Sequence, residues 1–436
     1  MQPIAELLQE ADFLAQYKLV IISGPVKLSS LNAVSKGARE LNIPVLYTRS
    51  VGFYSTFSLQ LPAEFPIVET HPDPETTQDI RLLNPWPELK EAGSRISDLD
   101  SMDDHQHGHV PYVLLLLHYL EKWRGTHNGN APSNYKEKTE FREMVRGSAR
   151  MDTPEGGEEN FDEAAGAVLK SLNPFTLRST LREIFEMPEC KNLKPESADF
   201  WIIASAINAF YQKHQVLPLP GSLPDMKAQS ADYVALQSLY KAKAQKDVHE
   251  VTELVRQIES QLGSRPAPIP EKEIEVFCKN AAHIKVVRGR DIPQLDDAYT
   301  RKTIRSNLGF SGFADSIMPI FIACQILDAI VTDVQEGKQA GGSIDDESVW
   351  KAHIDRVINL LRREDPAAVD DDEHQRIVDA TQELRRTEGG ELHNISALVG
   401  GLVAQEALKV ITRQYVPLDN TCIFDGVHSR TEMYRL

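Results

Sequence analysis

The sequence predicts an α/β protein in which a sheet domain is interrupted by a long helical segment. Three observations lead to this prediction: a strand, helix, strand unit near the amino terminus, a series of helices through the middle, and a helix followed by a strand near the carboxyl terminus. The chain has 436 residues, of which 41% are hydrophobic and 25% charged, a composition typical of globular proteins. That length supplies enough core for more than one compact unit.

The first unit begins with residues 17–24 (YKLVIISG), a short apolar run rich in β-branched residues that predicts a buried strand. Apolar residues then recur at helical spacing over 28–41, and Pro44 ends the helix before a second strand at 45–49. A helical crossover between two apolar strands favours a parallel pair covered by helices. Residues 53–61 alternate less cleanly and are a candidate for an added strand.

Residues 62–87 are rich in proline and acidic residues, which is typical of a connector. Beyond it, helical periodicity predicts a series of helices. They span 112–123, 135–146, 160–171, 198–214, 231–262, 271–287, 316–334 and 348–363. The helix at 231–262 has one apolar face along its whole length, and we expect the acid run at 370–373 to lie on a solvated loop.

Residues 395–411 (ISALVGGLVAQEALKVI) return to α/β character and predict a helix, followed by a strand at 421–424. Gly400 and Gly401 lie inside this helix, where each costs about 1 kcal/mol relative to alanine. We therefore expect a sheet or another backbone to pack very close to them. The resulting domain ranges are 1–65 for the first part of the sheet domain, 66–388 for the helical insertion and 389–436 for the returning segment.

Charge and cysteine content exclude several classes of protein. The net charge is −17 and no basic stripe is present, which argues against nucleic-acid binding. The longest apolar run, residues 112–117, is far shorter than a membrane span, so we expect no membrane partner. The first residues do not have the pattern of a secretory signal, and the four cysteines show no CxxC spacing, so we expect an intracellular protein.

The sequence contains no strong catalytic, phosphate-binding or metal-binding motif. No GxGxxG, Walker, GxSxG or HExxH pattern occurs, and the turn at Gly24 lacks the further glycines of a phosphate loop. Residues 103–109 (DDHQHGH) have metal-ligand side chains, but a solvated loop is the favoured interpretation, and we predict no metal site. Cys190 and Cys278 each precede a lysine and are the only cysteines worth testing as nucleophiles, although burial as structural thiols is favoured.

Six stretches, in the same order along nearly the whole chain, resemble the regulatory, non-catalytic subunits of the heterodimeric neddylation-activating enzymes, within the ubiquitin-activating family. The stretches are PIVETHP (66–72), RLLNPWPE (81–88), YKEKTEFREMVR (135–146), GSLPDMKAQSADYVALQSLY (221–240), EKEIEVFCKNAAHIKVVR (271–288) and LVGGLVAQEALKVIT (398–412). The GGxxAQExxK segment occurs across the whole activating-enzyme family, whereas the combination is specific.

The resemblance implies an incomplete Rossmann-like adenylation domain of the ThiF type, interrupted by a mainly helical domain that corresponds to the catalytic-cysteine domain but lacks the nucleophile. The family members carry further α/β elements before the strand that starts here at residue 17, so we expect an incomplete sheet. The resemblance places ATP, magnesium and the thioester cysteine on the catalytic partner subunit. This chain would bind that subunit and help to hold the ubiquitin-like modifier, in the cytoplasm and nucleus.

The resemblance also indicates a partner-binding stretch at the start of the long helix. Its predicted residues are Asp225, Met226, Tyr233, Leu236 and Gln237. The alternative for this stretch is packing within the helical domain. Two alternatives for the whole chain also stand: a self-sufficient adenylating enzyme that uses Cys190 or Cys278, and a truncated decoy that binds the partner without supporting activity.

Overall fold

The computed structural model describes residues 13–73, 79–96, 98–152, 156–263, 265, 267–311, 314–337, 344, 346–365 and 369–436. The chain forms two compact units. One combines Met1–Ile67 with Val286–Leu436 and contains the main sheet, and the other is Val68–Lys285 and is mainly helical. We call them the sheet unit and the helical unit.

Strands and helices are numbered in chain order. The strands are β1 (Val20–Gly24), β2 (Val45–Val51), β3 (Tyr54–Gln60), β4 (Phe65–Val68), β5 (Ile284–Val287), β6 (Phe310–Ser311), β7 (Ala314–Asp315), β8 (Thr421–Asp425) and β9 (Arg430–Tyr434). The α-helices are α1 (Leu28–Glu40), α2 (Pro87–Ser94), α3 (Asp104–His107), α4 (Tyr112–Thr126), α5 (Tyr135–Arg146), α6 (Glu159–Ser171), α7 (Ser179–Glu186), α8 (Pro188–Lys191), α9 (Asp199–His214), α10 (Ser230–Leu262), α11 (Glu271–Lys279), α12 (Ala298–Ser306), α13 (Met318–Gln335), α14 (Glu347–Glu364), α15 (Asp371–Arg386) and α16 (His393–Thr412).

The sheet unit is built on a five-stranded sheet in the order β1-β2-β3-β8-β9. β1 and β2 are parallel, with Val20 opposite Val45, and α1 connects them, which confirms the predicted strand, helix, strand unit. The other neighbours are antiparallel, and β3 is the added strand predicted at 53–61. The α/β class is therefore confirmed, and parallel pairing in this sheet is confined to β1 and β2.

Two apolar helices cover opposite faces of this sheet. Cys422 and Phe424 of β8 belong to the core beneath α16, whereas Ile423 between them belongs to the core around α13. Successive side chains of a strand point to opposite faces, so α13 and α16 lie on different sides. β2, β3 and β8 are thereby sandwiched between two helical layers, which explains why nearly all their residues are buried.

The helical segment ends earlier than the range of 66–388 that the sequence indicates. Residues 286–388 belong to the sheet unit, because α13 packs on β3 and β8 and also against α14 and α15. α13 is buried on all sides, and a continuous apolar pattern does not reveal which domain surrounds a helix. The acid run at 370–373 is also not a loop: Asp370 caps α15 in a capping box with Glu373.

The helical unit packs around α4, α6 and the first half of α10. Four residues of the apolar face predicted for the long helix α10 are buried: Leu236, Tyr240, Val251 and Val255. The predicted helix at 271–287 is too long: α11 stops at Lys279, and residues 284–287 (IKVV), three of them β-branched, form β5. β5 pairs with β4 in a separate two-stranded sheet.

Candidate functional site

α16 presents an exposed, uncharged side to its surroundings. Its largest apolar side chains there are Leu398, Leu408 and Ile411, with 50%, 62% and 62% of their surface exposed. The residues of this surface, which we call the α16 face, are Ala397, Leu398, Gly400, Gly401, Ala404, Gln405, Leu408 and Ile411. Contiguous apolar surface of this kind on a folded chain typically marks an interaction site.

A comparison with α13 shows that this exposure is unusual for such an apolar helix. Among the described residues, α13 and α16 are the two helices that are long and apolar enough to cross a membrane, judged by length and composition alone. α13 is 78% buried and is a core helix, whereas only 33% of the corresponding stretch of α16 is buried. The chain's own core thus buries most of the apolar helix α13, whereas most of the corresponding stretch of α16 remains exposed.

The other side of α16 fixes its orientation. Ile395, Val399 and Val403 pack against the sheet, in a cluster that includes Leu46 and Phe57. Near the carboxyl end of the helix, buried Glu406 accepts hydrogen bonds from the Leu418 backbone N–H at 2.8 Å and from Lys409 Nζ at 2.6 Å. These contacts hold the helix in one rotation about its axis, so the α16 face points outward on a rigid support.

Gly400 and Gly401 lie in the middle of the α16 face. A Cβ atom built on either glycine meets nothing within 4 Å in the described part of the chain. The expectation that this chain's own sheet packs against them is therefore wrong. The glycines leave a shallow notch in the helix surface, into which the backbone of another chain could approach closely.

Arg413 follows the last turn of α16 in a left-handed conformation, with φ of 54°. Its guanidinium carbon lies 4.8 Å from the centre of the Phe65 ring, a cation–π contact. Arg413 as a whole is exposed to solvent, and partial burial of its side chain lowers its pKa. Within the residues that the structure describes, no carboxylate forms an ion pair with it.

The residues predicted to bind a partner are divided between core and surface. Met226 and Leu236 are only 8% and 3% exposed and belong to the helical unit's core, so packing accounts for both side chains. Tyr233 packs partly against the same core. Asp225 is exposed, and Gln237 accepts a hydrogen bond from Lys241 Nζ at 2.9 Å. Partner binding by this stretch stays a prediction, and its two largest aliphatic residues are not available for it.

Neither candidate nucleophile has the environment of a reactive thiol. Cys190 and Cys278 are both buried. Burial raises the pKa of Cys190 to about 12, outweighing the opposite effect of Lys191. Burial also raises the pKa of Cys278, and the Asp247 and Glu275 carboxylates add to the increase. A nucleophilic cysteine needs a lowered pKa, so the structure gives no support to an enzyme that uses these thiols.

The histidine-rich stretch is structured, in contrast to the solvated loop that we expect from the sequence. It forms the short helix α3, and His107 is buried against Phe161 with ring centres 4.9 Å apart. His107 Nδ1 lies 2.7 Å from Glu158 Oε1. Among the described residues, no three histidine, cysteine or acidic side chains are grouped so that they could hold a metal ion.

The helical unit contains a cavity of about 710 Å³, next to α6 and the end of α11. Asp225 and Cys278 both contribute to its wall, together with Glu163 and Tyr112. Burial raises the pKa of Glu163, and the Glu159 and Asp225 carboxylates add to the increase. The hydrogen bond that Glu163 accepts from the Lys227 backbone N–H partly offsets it. The cavity wall thus contains both Asp225, a predicted site residue, and Glu163, a carboxyl group with a raised pKa.

Sequence reasoning identified α16 as a helix with an unusual glycine pair but missed Leu398, Leu408, Ile411 and Arg413 as surface residues. The available signal was that apolar residues occur around most of the helix circumference, as they do in α13. A helix that is apolar all round is normally buried, so sequence alone does not separate a core helix from one whose cover is another molecule.

Comparison with known proteins gives a consistent result. No family model matches the chain. The chain is 32% identical over 436 residues to the NEDD8-activating enzyme E1 regulatory subunit of Danio rerio, covering 98% of this chain and 79% of that protein. It is 31% identical to the Xenopus laevis protein of the same name, with 98% and 79% covered. It is 30% identical to the NEDD8-activating enzyme E1 regulatory subunit AXR1 of Arabidopsis thaliana, with 97% and 76% covered.

Proposed function

Because the chain belongs to the family of NEDD8-activating enzyme E1 regulatory subunits, we propose that its α16 face binds the catalytic subunit of that enzyme. Protein neddylation is thus the pathway in which the chain acts. A regulatory subunit needs a surface for its partner. The α16 face is the surface in the described part of the chain that best fits this need.

The proposal rests on one observation: the exposed side of α16 carries large apolar side chains and no charged ones. The centres of protein interfaces are depleted of charged residues and are held by a few large side chains that become buried on binding. Leu398, Leu408 and Ile411 are large, apolar and at least half exposed, and no charged side chain separates them on the α16 face. Covering these three side chains would remove apolar surface from water without burying a charge.

We further propose the division of labour that the family resemblance implies. The sheet unit corresponds to an adenylation domain of the ThiF type. ATP, magnesium and the thioester cysteine lie on the catalytic subunit, and this chain helps to hold the ubiquitin-like modifier NEDD8 for adenylation in the cytoplasm and nucleus. Burial of Cys190 and Cys278 and their raised pKa values support a non-catalytic role for this chain.

The test is binding of the catalytic subunit from the same organism to variants of the α16 face. Wild-type protein should form a 1:1 complex, measured by size-exclusion chromatography with light scattering and by calorimetry. Leu408→Asp should weaken the complex at least tenfold, because it places a carboxylate at the centre of an apolar interface. The side chain is 62% exposed in the free chain, so we expect the variant to fold normally.

Val427→Asp is the matched control, because Val427 is 54% exposed in the same unit but lies in the turn between β8 and β9. It introduces the same charge away from the α16 face and should leave the complex intact. Wild-type affinity of Leu408→Asp would contradict the proposal.

Activity distinguishes a supporting subunit from a decoy. Adding this chain to the catalytic subunit should increase ATP–pyrophosphate exchange that depends on NEDD8. A decrease would indicate a decoy that occupies the catalytic subunit without supporting it. The chain alone, given ATP and NEDD8, should form no adduct that reductant releases. An adduct lost in Cys190→Ala or Cys278→Ala would instead show a self-sufficient enzyme.

A further inference from the structure

Arg413 is the one charged side chain without a described ion-pair partner between residues 394 and 418, all of which the structure describes. This segment contains two other charged residues, Glu406 and Lys409, and they pair with each other. Elsewhere in the sheet unit, Arg39 pairs with Asp291, and Arg290 and Arg435 both pair with Asp419. Within the described part of the chain, Arg413 is therefore the unpaired cation that lies next to the α16 face along the chain.

The surroundings of Arg413 hold its guanidinium in place without supplying a counter-charge. The side chain is exposed to solvent, and the carbon of the guanidinium lies 4.8 Å from the centre of the Phe65 ring, which packs against one side of it. An aromatic face attracts a cation but does not accept the directed hydrogen bonds that a guanidinium offers. A carboxylate that arrived from outside could take two of these donors at once, in the geometry that arginine is best suited to bind.

The position of Arg413 connects it to the α16 face. It follows Ile411 by two residues, and after Gln414 come Tyr415 and Val416, large hydrophobic side chains that are 39% and 40% exposed. Leu408 and Ile411 thus form the end of the α16 face that lies nearest to Arg413 along the chain. Lys409 in the last turn is paired with Glu406, so in the described structure the α16 face has an uncharged centre and one unpaired positive charge just beyond the carboxyl end of the helix.

We propose that the segment of the catalytic subunit that covers the α16 face carries an aspartate or glutamate at one end, and that this carboxylate pairs with Arg413. The inference rests on the proposed function and adds the chemistry of the partner surface. Apolar side chains of the partner cover Leu398, Leu408 and Ile411, and the ion pair at one end sets the direction in which the segment lies. The opposite orientation would bury the partner's carboxylate without a counter-charge, which disfavours it.

The experiment measures affinity for the catalytic subunit with two substitutions of Arg413. Arg413→Glu should weaken binding at least tenfold, because it places two like charges together. Arg413→Met keeps an unbranched stem that can pack on Phe65 but removes the charge, and should weaken binding less. Raising the salt concentration should weaken the wild-type complex more than the Arg413→Met complex, since only the wild type retains the ion pair.

Arg356→Glu is the control for net charge. Arg356 is exposed on α14, which packs against α13 and α15, and the substitution changes the charge by the same amount. It should leave the affinity unchanged. Charge reversal of individual acidic residues on the catalytic subunit should then identify one position at which Asp→Lys or Glu→Lys restores binding to Arg413→Glu.

The results separate this inference from the proposed function. Normal binding by Arg413→Glu together with weak binding by Leu408→Asp would overturn the ion pair and leave the α16 interface standing. Normal binding by both variants would overturn both. Circular dichroism and thermal unfolding check that each variant is folded. If Arg413→Glu is not, an unchanged affinity and salt dependence of Arg413→Met would overturn the ion pair.

Discussion

Asp328 and Arg49 form an ion pair that is buried within the sheet unit, with Arg49 Nη1 2.7 Å from Asp328 Oδ2. Tyr47 Oη lies 3.0 Å from both carboxylate oxygens, and Arg49 Nε donates to Thr56 Oγ1 at 3.0 Å. Asp328 lies on α13, whereas the other three residues lie on β2 and β3. The cluster therefore joins the buried helix to the centre of the sheet through polar contacts.

Substitution of Asp328 by alanine should lower the free energy of unfolding by about 3–5 kcal/mol, because it leaves the Arg49 guanidinium buried without a counter-charge. Chemical denaturation with urea would measure the change. The double variant Arg49→Met with Asp328→Leu should recover much of the loss, since it removes both charges. A loss below about 1 kcal/mol for Asp328→Ala would show that water reaches Arg49.

The double variant Gly400→Ala with Gly401→Ala should make the isolated chain more stable by about 1–2 kcal/mol. Alanine restricts the unfolded chain and favours helix, and its Cβ meets nothing within 4 Å at either position. The same variant should bind the catalytic subunit more weakly, because the methyl groups fill the notch on the α16 face.

Gly166→Ala in α6 is the control for this double variant, since its Cβ also meets nothing within 4 Å. It should stabilise the chain and leave binding unchanged. Unfolding by urea and calorimetric titration measure the two effects. Equal affinity of the double variant and the wild type would contradict close approach at Gly400 and Gly401.

All four cysteines should be unreactive in the folded protein. Burial raises the pKa of Cys190 from 9.0 to about 12, which reduces its thiolate fraction about a thousandfold at neutral pH. Burial likewise raises the pKa of Cys324 and of Cys422 to about 11. Titration with a chromogenic disulfide should detect almost no thiol before unfolding and four after it. Rapid modification of one cysteine in the native protein would reveal a reactive site.

Substitution of Glu163 by glutamine should change how stability depends on pH. Burial raises the pKa of Glu163, so the folded chain holds this proton to a higher pH than the unfolded chain does. The free energy of unfolding therefore falls as pH rises above the ordinary pKa of 4.5 towards the raised value. Glutamine never ionises, so Glu163→Gln should gain stability relative to the wild type as pH rises from acidic to neutral.

Urea unfolding at several pH values would measure the Glu163 effect. Glu183→Gln is the control, because Glu183 is exposed on α7 and loses the same charge. Parallel pH profiles for the wild type and Glu163→Gln would show that the carboxyl group is solvated in the folded state.

Local signals in the sequence were sufficient for many of the helices. α5 spans the predicted 135–146 because Asn134 caps its first turn, accepting from Glu137 N–H. The same approach missed α15, because its capping residues, Asp370 to Glu373, were interpreted as a solvated acid run. It extends α11 into β5, because apolar residues continue after the helix has ended at Lys279. Tertiary pairing with β4, which local periodicity does not contain, decides the structure there.

The α16 face shows a different limit of sequence reasoning. The pattern predicts an apolar helix with a close approach at its two glycines; the helix is confirmed, whereas a Cβ built on Gly400 or Gly401 meets nothing within 4 Å in the described part of the chain. Which side the sheet covers depends on the register of Val399 and Val403 against β2 and β3. That register is set by chain segments more than three hundred residues apart, and spacing within α16 carries no information about it.

The pairing of β3 with β8 has a consequence for the synthesis of the protein. Ser58 and Thr421 lie side by side in the sheet although 363 positions separate them in the chain. β1 to β3 leave the ribosome more than three hundred residues before β8 and β9 and must wait for them with their apolar faces uncovered. The helical unit is synthesised in the interval from a continuous stretch and can fold during it. A chaperone that binds nascent chains should therefore contact residues 20–60 while the helical unit is being synthesised and release them only after residue 421 has emerged.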